Sequence, residues 1–346
     1  MKSLIFIFCI LIILFKTGNV LSNNNIFSVN NIEIVREISK NQEDLVNQAF
    51  EKGFKKLIQR LLLEEDYKKI STINLKEIKK LISYYQIVNP DDQESKKNIT
   101  VNLFFDKDRM HNFFYQRNIL YSDIINTEML IFPLLISEKQ YFVYSKNFFY
   151  ENWNNDSSDH LIQYTLPVES IESIQKIESN KNSIYKLDLF DFFKEYDNEN
   201  MTFATIEVNK KNAKVFISTI IEGKKLNTNF SIDKKNLNSE DFNNKIILEI
   251  KNITRDLIKS QNLIDIRTPS FLNVKIRLNN KSNLVEFNNR LKKIDLIDNF
   301  YVLELNKDYV LVKIKYLGKI NKIIDRLKGQ NIDLNMRQGQ WHLNII

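Results

Sequence analysis

The sequence predicts an α+β protein, folded as three successive units behind an N-terminal export signal. Three features carry that expectation. Apolar residues recur in pairs every four positions in some segments and alternate in others, turn residues separate these segments at short intervals, and the opening apolar run is unlike either kind. At 346 residues, with 43% hydrophobic and 12% aromatic side chains, the chain can bury a sizeable core in two or three domains.

Lys2 opens the chain, Leu4 to Phe15 form an unbroken apolar run, and Val20-Leu21-Ser22 offers a small-residue cleavage site before Asn23. Spanning a bilayer takes about 20 apolar residues, so residues 1–22 read as a secretory signal peptide. Lys16, directly after the run, keeps open the alternative of an uncleaved N-terminal membrane anchor. The sole cysteine, Cys9, would suit a lipoprotein only if a small residue preceded it, and Phe8 stands there. Cleavage before Asn23 leaves a cysteine-free mature chain, which excludes disulfides, thiolate metal sites and cysteine nucleophiles.

The first unit, residues 23–120, starts with a strand from about Ile26 to Ile38. A long helix from Gln42 to Leu63 follows, with its stripe at Leu45/Val46, Ala49/Phe50, Gly53/Phe54, Leu57/Ile58 and Leu61/Leu62. Gly53 within that stripe lowers helix propensity, which predicts close approach to a sheet. A short helix from Leu75 to Lys80, strands Leu81 to Val88 and Ile99 to Phe105 about the Asn89-Pro90-Asp91-Asp92 turn, and a helix from Lys107 to Arg117 complete a βαββα unit.

The second unit, residues 121–268, opens at Glu128 to Leu135. This run is apolar on both faces and so reads as a buried central strand, bent or placed at an edge by Pro133. A strand at Tyr141 to Tyr144 precedes an aromatic loop of Phe148, Phe149, Tyr150 and Trp153. Two helical segments come next, at Ile171 to Ile177 and Leu187 to Tyr196. A hairpin of Thr202 to Val208 and Lys214 to Ile221 leads to a helix capped by Ser239, with Glu240 and Asp241 first and Lys251, Arg255 and Lys259 last.

The third unit, residues 269–346, follows Pro269. It comprises a strand (Leu272 to Leu278), a helix from Ser282, a hairpin (Phe300 to Leu305, Tyr309 to Tyr316), a helix through Ile320, Ile323, Ile324 and Leu327 that Gly329 closes, and a final strand from Ile332 to Leu343. The order βαββαβ is that of the ferredoxin-like split unit.

The formal charge of +7 is unevenly spread. From Phe271 to Ile346 there are 14 Lys and Arg against 7 Asp and Glu, which leaves the preceding mature region near −2. A genomic lysine bias would have made both regions basic, so the asymmetry points to an anionic partner for the third unit. Lys313, Lys315, Lys319, Lys322 and Arg326 form the candidate patch, two alternating on a strand and three spaced along a helix. The aromatic loop is a second candidate, as the lining of a ligand groove.

No catalytic constellation is evident. The three histidines, His111, His160 and His342, show no paired-ligand spacing, so no metal site is expected. Isolated glycines cannot form a phosphate-cradling loop, and no cofactor is expected. Asp106/Asp108, Asp156/Asp159 and Glu240/Asp241 are the closest acid clusters, and Asp106 and Asp108 open a helix where acids serve as caps.

The order of features resembles a bacterial family catalogued only as domain of unknown function 2066. The residues that carry the resemblance are Phe27 to Ile32, Ala49 and Gly53 with Leu57 to Leu63, Ser83 to Val88, Phe104 to Asp106, Leu130 to Leu134 and Trp153. The strand ending in Pro133-Leu134 is similar to its counterpart in envelope proteins of the TolB N-terminal type, which suggests that type for the central α/β unit. The resemblance implies a periplasmic envelope protein of a Gram-negative bacterium, of unassigned activity, and carries over no functional residue. The expectation is therefore an exported, non-enzymatic binding or assembly module whose partners are envelope proteins or an anionic membrane surface, with nucleic acid not expected. The alternative is a carboxylate-dependent enzyme acting on envelope glycans.

Overall fold

The computed structural model describes residues 26–36, 41–88, 98–124, 126–155, 161–196, 200–277 and 282–345. The export signal, Cys9, the Asn89 to Asp92 turn, Asp156, Asp159 and His160 lie outside them. The protein is a mixed α+β fold with four sheets among the described residues. The chain order begins β1 (Ser28–Val35), α1 (Gln42–Leu61), α2 (Glu64–Ile70), α3 (Leu75–Leu81), β2 (Ile82–Val88), β3 (Asn98–Phe105) and α4 (Lys107–Gln116). It continues with β4 (Tyr121–Ser122), β5 (Thr127–Ser137), β6 (Gln140–Phe142), α5 (Phe148–Asn152), β7 (Ile162–Thr165), α6 (Ile171–Ser179), a 3-10 turn (Lys181–Lys186) and α7 (Leu189–Phe192). Then come β8 (Met201–Val208), β9 (Asn212–Ile221), β10 (Lys224–Asp233), α8 (Ser239–Gln261) and β11 (Leu263–Ile264). The last elements are β12 (Ser270–Arg277), α9 (Ser282–Leu291), β13 (Ile297–Leu305), β14 (Tyr309–Tyr316), α10 (Ile320–Gly329), β15 (Ile332–Arg337) and β16 (Gln340–Ile345).

Two compact units emerge. One takes residues up to Leu57, Ile73–Ile119 and the chain from Ile264 on, so the N-terminal and C-terminal regions share it; the other takes Ile58–Thr72 and Leu120–Leu263. In the first unit, antiparallel strands in the order β1-β3-β2 receive α1 on one face. Gly53 is the reason the helix sits so close. A Cβ there would lie 2.3 Å from Leu103 Cδ1 and 2.6 Å from Ile32 Cδ1, both on fully buried side chains of β3 and β1. The close approach read from the sequence is thus met at the sheet's centre.

The C-terminal sheet of the same unit runs β13-β14-β12-β16-β15. The expected final strand is a hairpin instead. Gln338 (φ 50) and Gly339 (φ 78) both adopt the left-handed backbone that a two-residue hairpin turn requires, and they divide it into β15 and β16. β16 then lies parallel to β12, and β15 becomes the edge.

The second unit is built on a six-stranded sheet, β10-β9-β8-β5-β6, with β7 also paired to β5. Alternate residues of β5 enter two cores. Met129 and Ile131 join Trp153, Phe242, Ile246 and Ile250 on one face, while Leu130, Phe132, Leu134 and Ile136 join Ile177, Leu189, Phe192 and Phe193 on the other. That is the buried central strand expected from a run apolar on both faces, and it pairs parallel with β8. β7 pairs with Thr127–Leu130 and β6 with Leu135–Ser137, so Pro133 falls between them, where neither partner needs its missing N–H.

Strand β10 and helix α8 differ from expectation. Strand β10 was not anticipated, because Lys224 to Asp233 alternates between exposed and half-buried positions without an apolar run. Helix α8 is capped by Asn238, whose side chain accepts a hydrogen bond from Asp241 N at 2.8 Å, with Ser239 as its first residue. Its basic residues Lys251, Arg255 and Lys259 are buried. Lys259 Nζ donates to the carbonyls of Gln59 and Leu62, each at 2.6 Å, and so closes the C-terminal end of α1.

Candidate binding face of the C-terminal sheet

Strand β14 buries Val310, Val312 and Ile314 completely and leaves Tyr309, Leu311, Lys313 and Lys315 half-exposed between them. Successive side chains of a strand point to opposite faces, so both lysines project from the side away from the apolar layer of α9 and α10. The antiparallel register with β12 places Phe271 opposite Lys315, Asn273 opposite Lys313, Lys275 opposite Leu311 and Arg277 opposite Tyr309. On the other flank of β14, Tyr301 of β13 stands opposite Lys313; beyond β12, His342 of β16 stands opposite Lys275.

Each of these four rows therefore holds one cation, and rows two residues apart lie about 7 Å from one another. The cations are held by their neighbours. Lys313 Nζ sits 4.4 Å from the Phe271 ring centroid and Lys275 Nζ 3.8 Å from that of Tyr309. Lys315 pairs with Asp298 at 2.7 Å, and the hydrogen bond to that carboxylate raises its pKa. Tyr309 donates to Glu304 at 2.7 Å, which raises the phenol's pKa. Phe271 is 52% exposed and Tyr301 47%, so the face mixes basic heads with accessible rings.

The five-residue patch read from the sequence does not assemble as one surface. Lys319 occupies the N-cap position of α10, and Lys322 and Arg326 lie along that helix, whose buried stripe is Ile323 and Leu327. That stripe joins the apolar layer, so the helical cations and the two strand lysines stand on opposite sides of the sheet. Lys275 and Arg277, which share the face of Lys313 and Lys315, were missed. Their alternation with Val274 and Ile276 is visible in the sequence, but the pairing of β12 with β14 is not.

The aromatic candidates are placed differently. Phe148 to Asn152 form the short helix α5, capped by Asn147, whose side-chain oxygen accepts from Phe149 N at 3.1 Å. Phe149 and Trp153 are fully buried in the core of the second unit, Phe148 packs against the same cluster, and the Tyr150 hydroxyl donates to Pro167 O at 2.8 Å. Phe149 and Trp153 thus close a core. Trp153 meets Tyr164 edge-on at 5.6 Å, with Lys251 Nζ 5.9 Å from its centroid.

Among the described residues, no three His, Cys, Asp or Glu side chains stand close enough to hold a metal ion. Asp106 caps α4 by accepting from Arg109 N at 2.9 Å, the role expected of it. Burial raises the Asp256 carboxyl, yet both its oxygens accept from Glu64 N at 3.2 Å, a structural use. An open depression of about 530 Å³ between α3 and α4 carries Lys80, Arg109 and Arg117 with Glu77. Its guanidinium groups are already committed: Arg117 covers the Phe113 ring at 3.9 Å and pairs with Glu77 at 3.4 Å, and Arg109 donates to Lys80 O at 3.0 Å.

His111 is the buried histidine of α4, edge-on to Phe27 at 5.5 Å. Burial first, then the charge of Lys107, lowers its pKa to about 4, against a smaller upward pull from Asp298. Below about pH 6.5 the unfolded chain takes up a proton that the folded chain refuses, so stability is full above that pH and falls on acidification, by about 2 kcal/mol at pH 5. Urea unfolding at pH 7 and pH 5 should show that difference shrinking by about this amount in His111→Leu; an unchanged difference would remove His111 as its source.

No family model and no curated protein matches the chain. Among solved structures, the hypothetical protein CT253 from Chlamydia trachomatis aligns over 38% of this chain and 98% of its own, at 10% identity and a TM-score of 0.28. Lipoprotein GNA1162 from Neisseria meningitidis aligns over 38% and 99%, at 15% identity and 0.25. The LpoB C-terminal domain from Salmonella enterica aligns over 31% and 83%, at 8% identity and 0.19. Scores this low describe a faint likeness alone.

Proposed function

We propose that the chain is an exported, periplasmic envelope protein that acts as a binding or assembly module, and that it turns the open face of its C-terminal sheet to an anionic surface. The observation that carries this reading is the row pattern of that face, where Lys275, Arg277, Lys313 and Lys315 stand one per row among exposed rings. The opening sequence, with Lys2 ahead of Leu4 to Phe15, supports export. On the same reading the chain is kin to the domain of unknown function 2066 family. Its central unit is of the TolB N-terminal type, and its C-terminal region is a ferredoxin-like unit with a doubled fourth strand.

The chain from Asn23 onward is expected to sediment with vesicles of anionic phosphatidylglycerol at low salt, to be released by about 0.5 M salt, and to ignore neutral phosphatidylcholine. Each basic residue near such a surface contributes about 1 kcal/mol, so the double variant Lys275→Glu/Lys313→Glu should weaken retention by tenfold or more. Lys322→Glu/Arg326→Glu, on the other side of the sheet, should change it far less. Equal retention on both lipids, indifferent to salt, would count against the reading. Failure on both would leave an acidic envelope protein as the partner to test.

A further inference from the structure

Strand β2 is one edge of the sheet β1-β3-β2, and no strand pairs with its outer side among the described residues. Its side chains Tyr84, Tyr85 and Val88 are 51%, 45% and 42% exposed, and Ser83 and Gln86 are exposed as well. The two rings are nevertheless held in place: Tyr84 stacks on Phe104 at 4.3 Å and Tyr85 meets Phe50 edge-on at 5.3 Å. Open sheet edges are normally blunted by charge, proline or a bulge, since they template pairing with another chain. The other longer edges here follow that rule. β1 carries Glu33, β10 has Lys224, Lys225 and Asp233, β13 has Asp298, Glu304 and two register shifts, and β15 has Asp333 and Arg337. β2, Ile-Ser-Tyr-Tyr-Gln-Ile-Val, has neither charge nor proline, and its one register shift lies at its start, between Ile82 and Tyr84, which leaves Tyr84 to Val88 regular.

We propose that β2 is a self-pairing edge: β2 of one copy joins β2 of a second copy, antiparallel about a two-fold axis at Tyr85, to make one continuous six-stranded sheet. In a two-fold pair each residue faces the same strand, so a charge near its middle would meet its like. An edge kept for a foreign strand has no such restriction. Centring on the middle residue sets Tyr85 against Tyr85 and Tyr84 against Gln86, clear of the register shift between Ile82 and Tyr84. Every pair is uncharged. Tyr85 and Ile87 extend the face on which Leu103 and Val101 are buried, and a second copy would cover them. One strand pair is a small contact, so the dimer should be reversible and depend on concentration.

Sedimentation velocity of the chain from Asn23 onward, from about 1 to 200 µM, should show a monomer–dimer equilibrium. Tyr85→Lys and Tyr85→Glu, at a surface position, should each keep the wild-type circular dichroism and raise the dissociation constant by about tenfold or more. Mixing the two variants should restore dimers, because lysine then faces glutamate across the axis. Independently of any variant, backbone amides of Ser83–Ile87 in the wild type should gain hydrogen-exchange protection as concentration rises. A wild type that stays monomeric throughout, variants that dimerise like the wild type, or a folded mixture that stays monomeric would each overturn the proposal. None of these results depends on whether the basic face binds lipid.

Discussion

Replacing Lys259 with methionine is expected to lower the stability of the protein by about 3–5 kcal/mol, the range for removing one partner of a buried charged interaction. Lys259 is 2% exposed, and its ammonium lies 2.6 Å from both Gln59 O and Leu62 O. Those carbonyls belong to the end of α1, where a helix leaves its last acceptors without internal donors and concentrates its negative dipole. One turn earlier on the same face of α8, Asp256 accepts from Glu64 N, at the start of α2 where the dipole is positive. A single turn of α8 thus supplies a cation to one helix end and an anion to the next helix start, and together they hold the break between α1 and α2. Methionine keeps the stem's volume but offers no donor, so the buried carbonyls lose their partner. A domain of this size should then melt on the order of 10 °C lower. Calorimetry finding less than about 1 kcal/mol of change would mean that water replaces the ammonium at no cost.

The same residue shows where sequence reading reaches its limit. Lys251, Arg255 and Lys259 recur every four residues, which fixes them to one helical face, and beside the acidic first turn of α8 they read as a dipole-ordered end. The carbonyls that Lys259 serves lie about two hundred positions earlier in the chain, and no local pattern announces them. Features set by local periodicity were legible. The stripe of α1, the two-faced run of β5, the cap at Asp106 and the close approach at Gly53 each follow from spacing and residue type within one segment. Features set by pairing were not. Strand β10 has no apolar run of its own and exists because β9 offers it an edge along its full length. Helix α2, Glu64–Ile70, is polar enough to pass for a loop. The split between β15 and β16 rests on two residues of positive φ, of which only Gly339 was visible as a signal. The candidate patch failed in the same way: the basic excess was read correctly, but which cations share a face depends on the register of β12 against β14.

Trp153 is the residue for which the two readings of the aromatic segment predict opposite outcomes. In a ligand groove, Trp153→Ala would abolish binding and leave folding intact. In the core it should cost about 3–5 kcal/mol, because the surrounding structure can only partly close on the space vacated. The geometry favours the second outcome. Trp153 is fully buried among Phe149, Leu161 and Tyr164, the Tyr164 hydroxyl is tied to Thr254 at 2.6 Å, and Lys251, itself 5% exposed, lies near the faces of both rings. Truncation would also strip one of two aromatic faces from a buried cation, a further loss of about 0.5–2 kcal/mol. Trp153→Phe retains a ring and most of the volume, so it should recover more than half of the deficit. The measurement is direct because the chain has only two tryptophans, and the other, Trp341, is half-buried. Trp153 should give blue-shifted emission resistant to iodide quenching, and that component should disappear in both variants while only alanine shifts the urea midpoint strongly. Emission from Trp153 that iodide quenches freely, with Trp153→Ala unfolding at the wild-type midpoint, would return the ring to the surface and the groove to consideration.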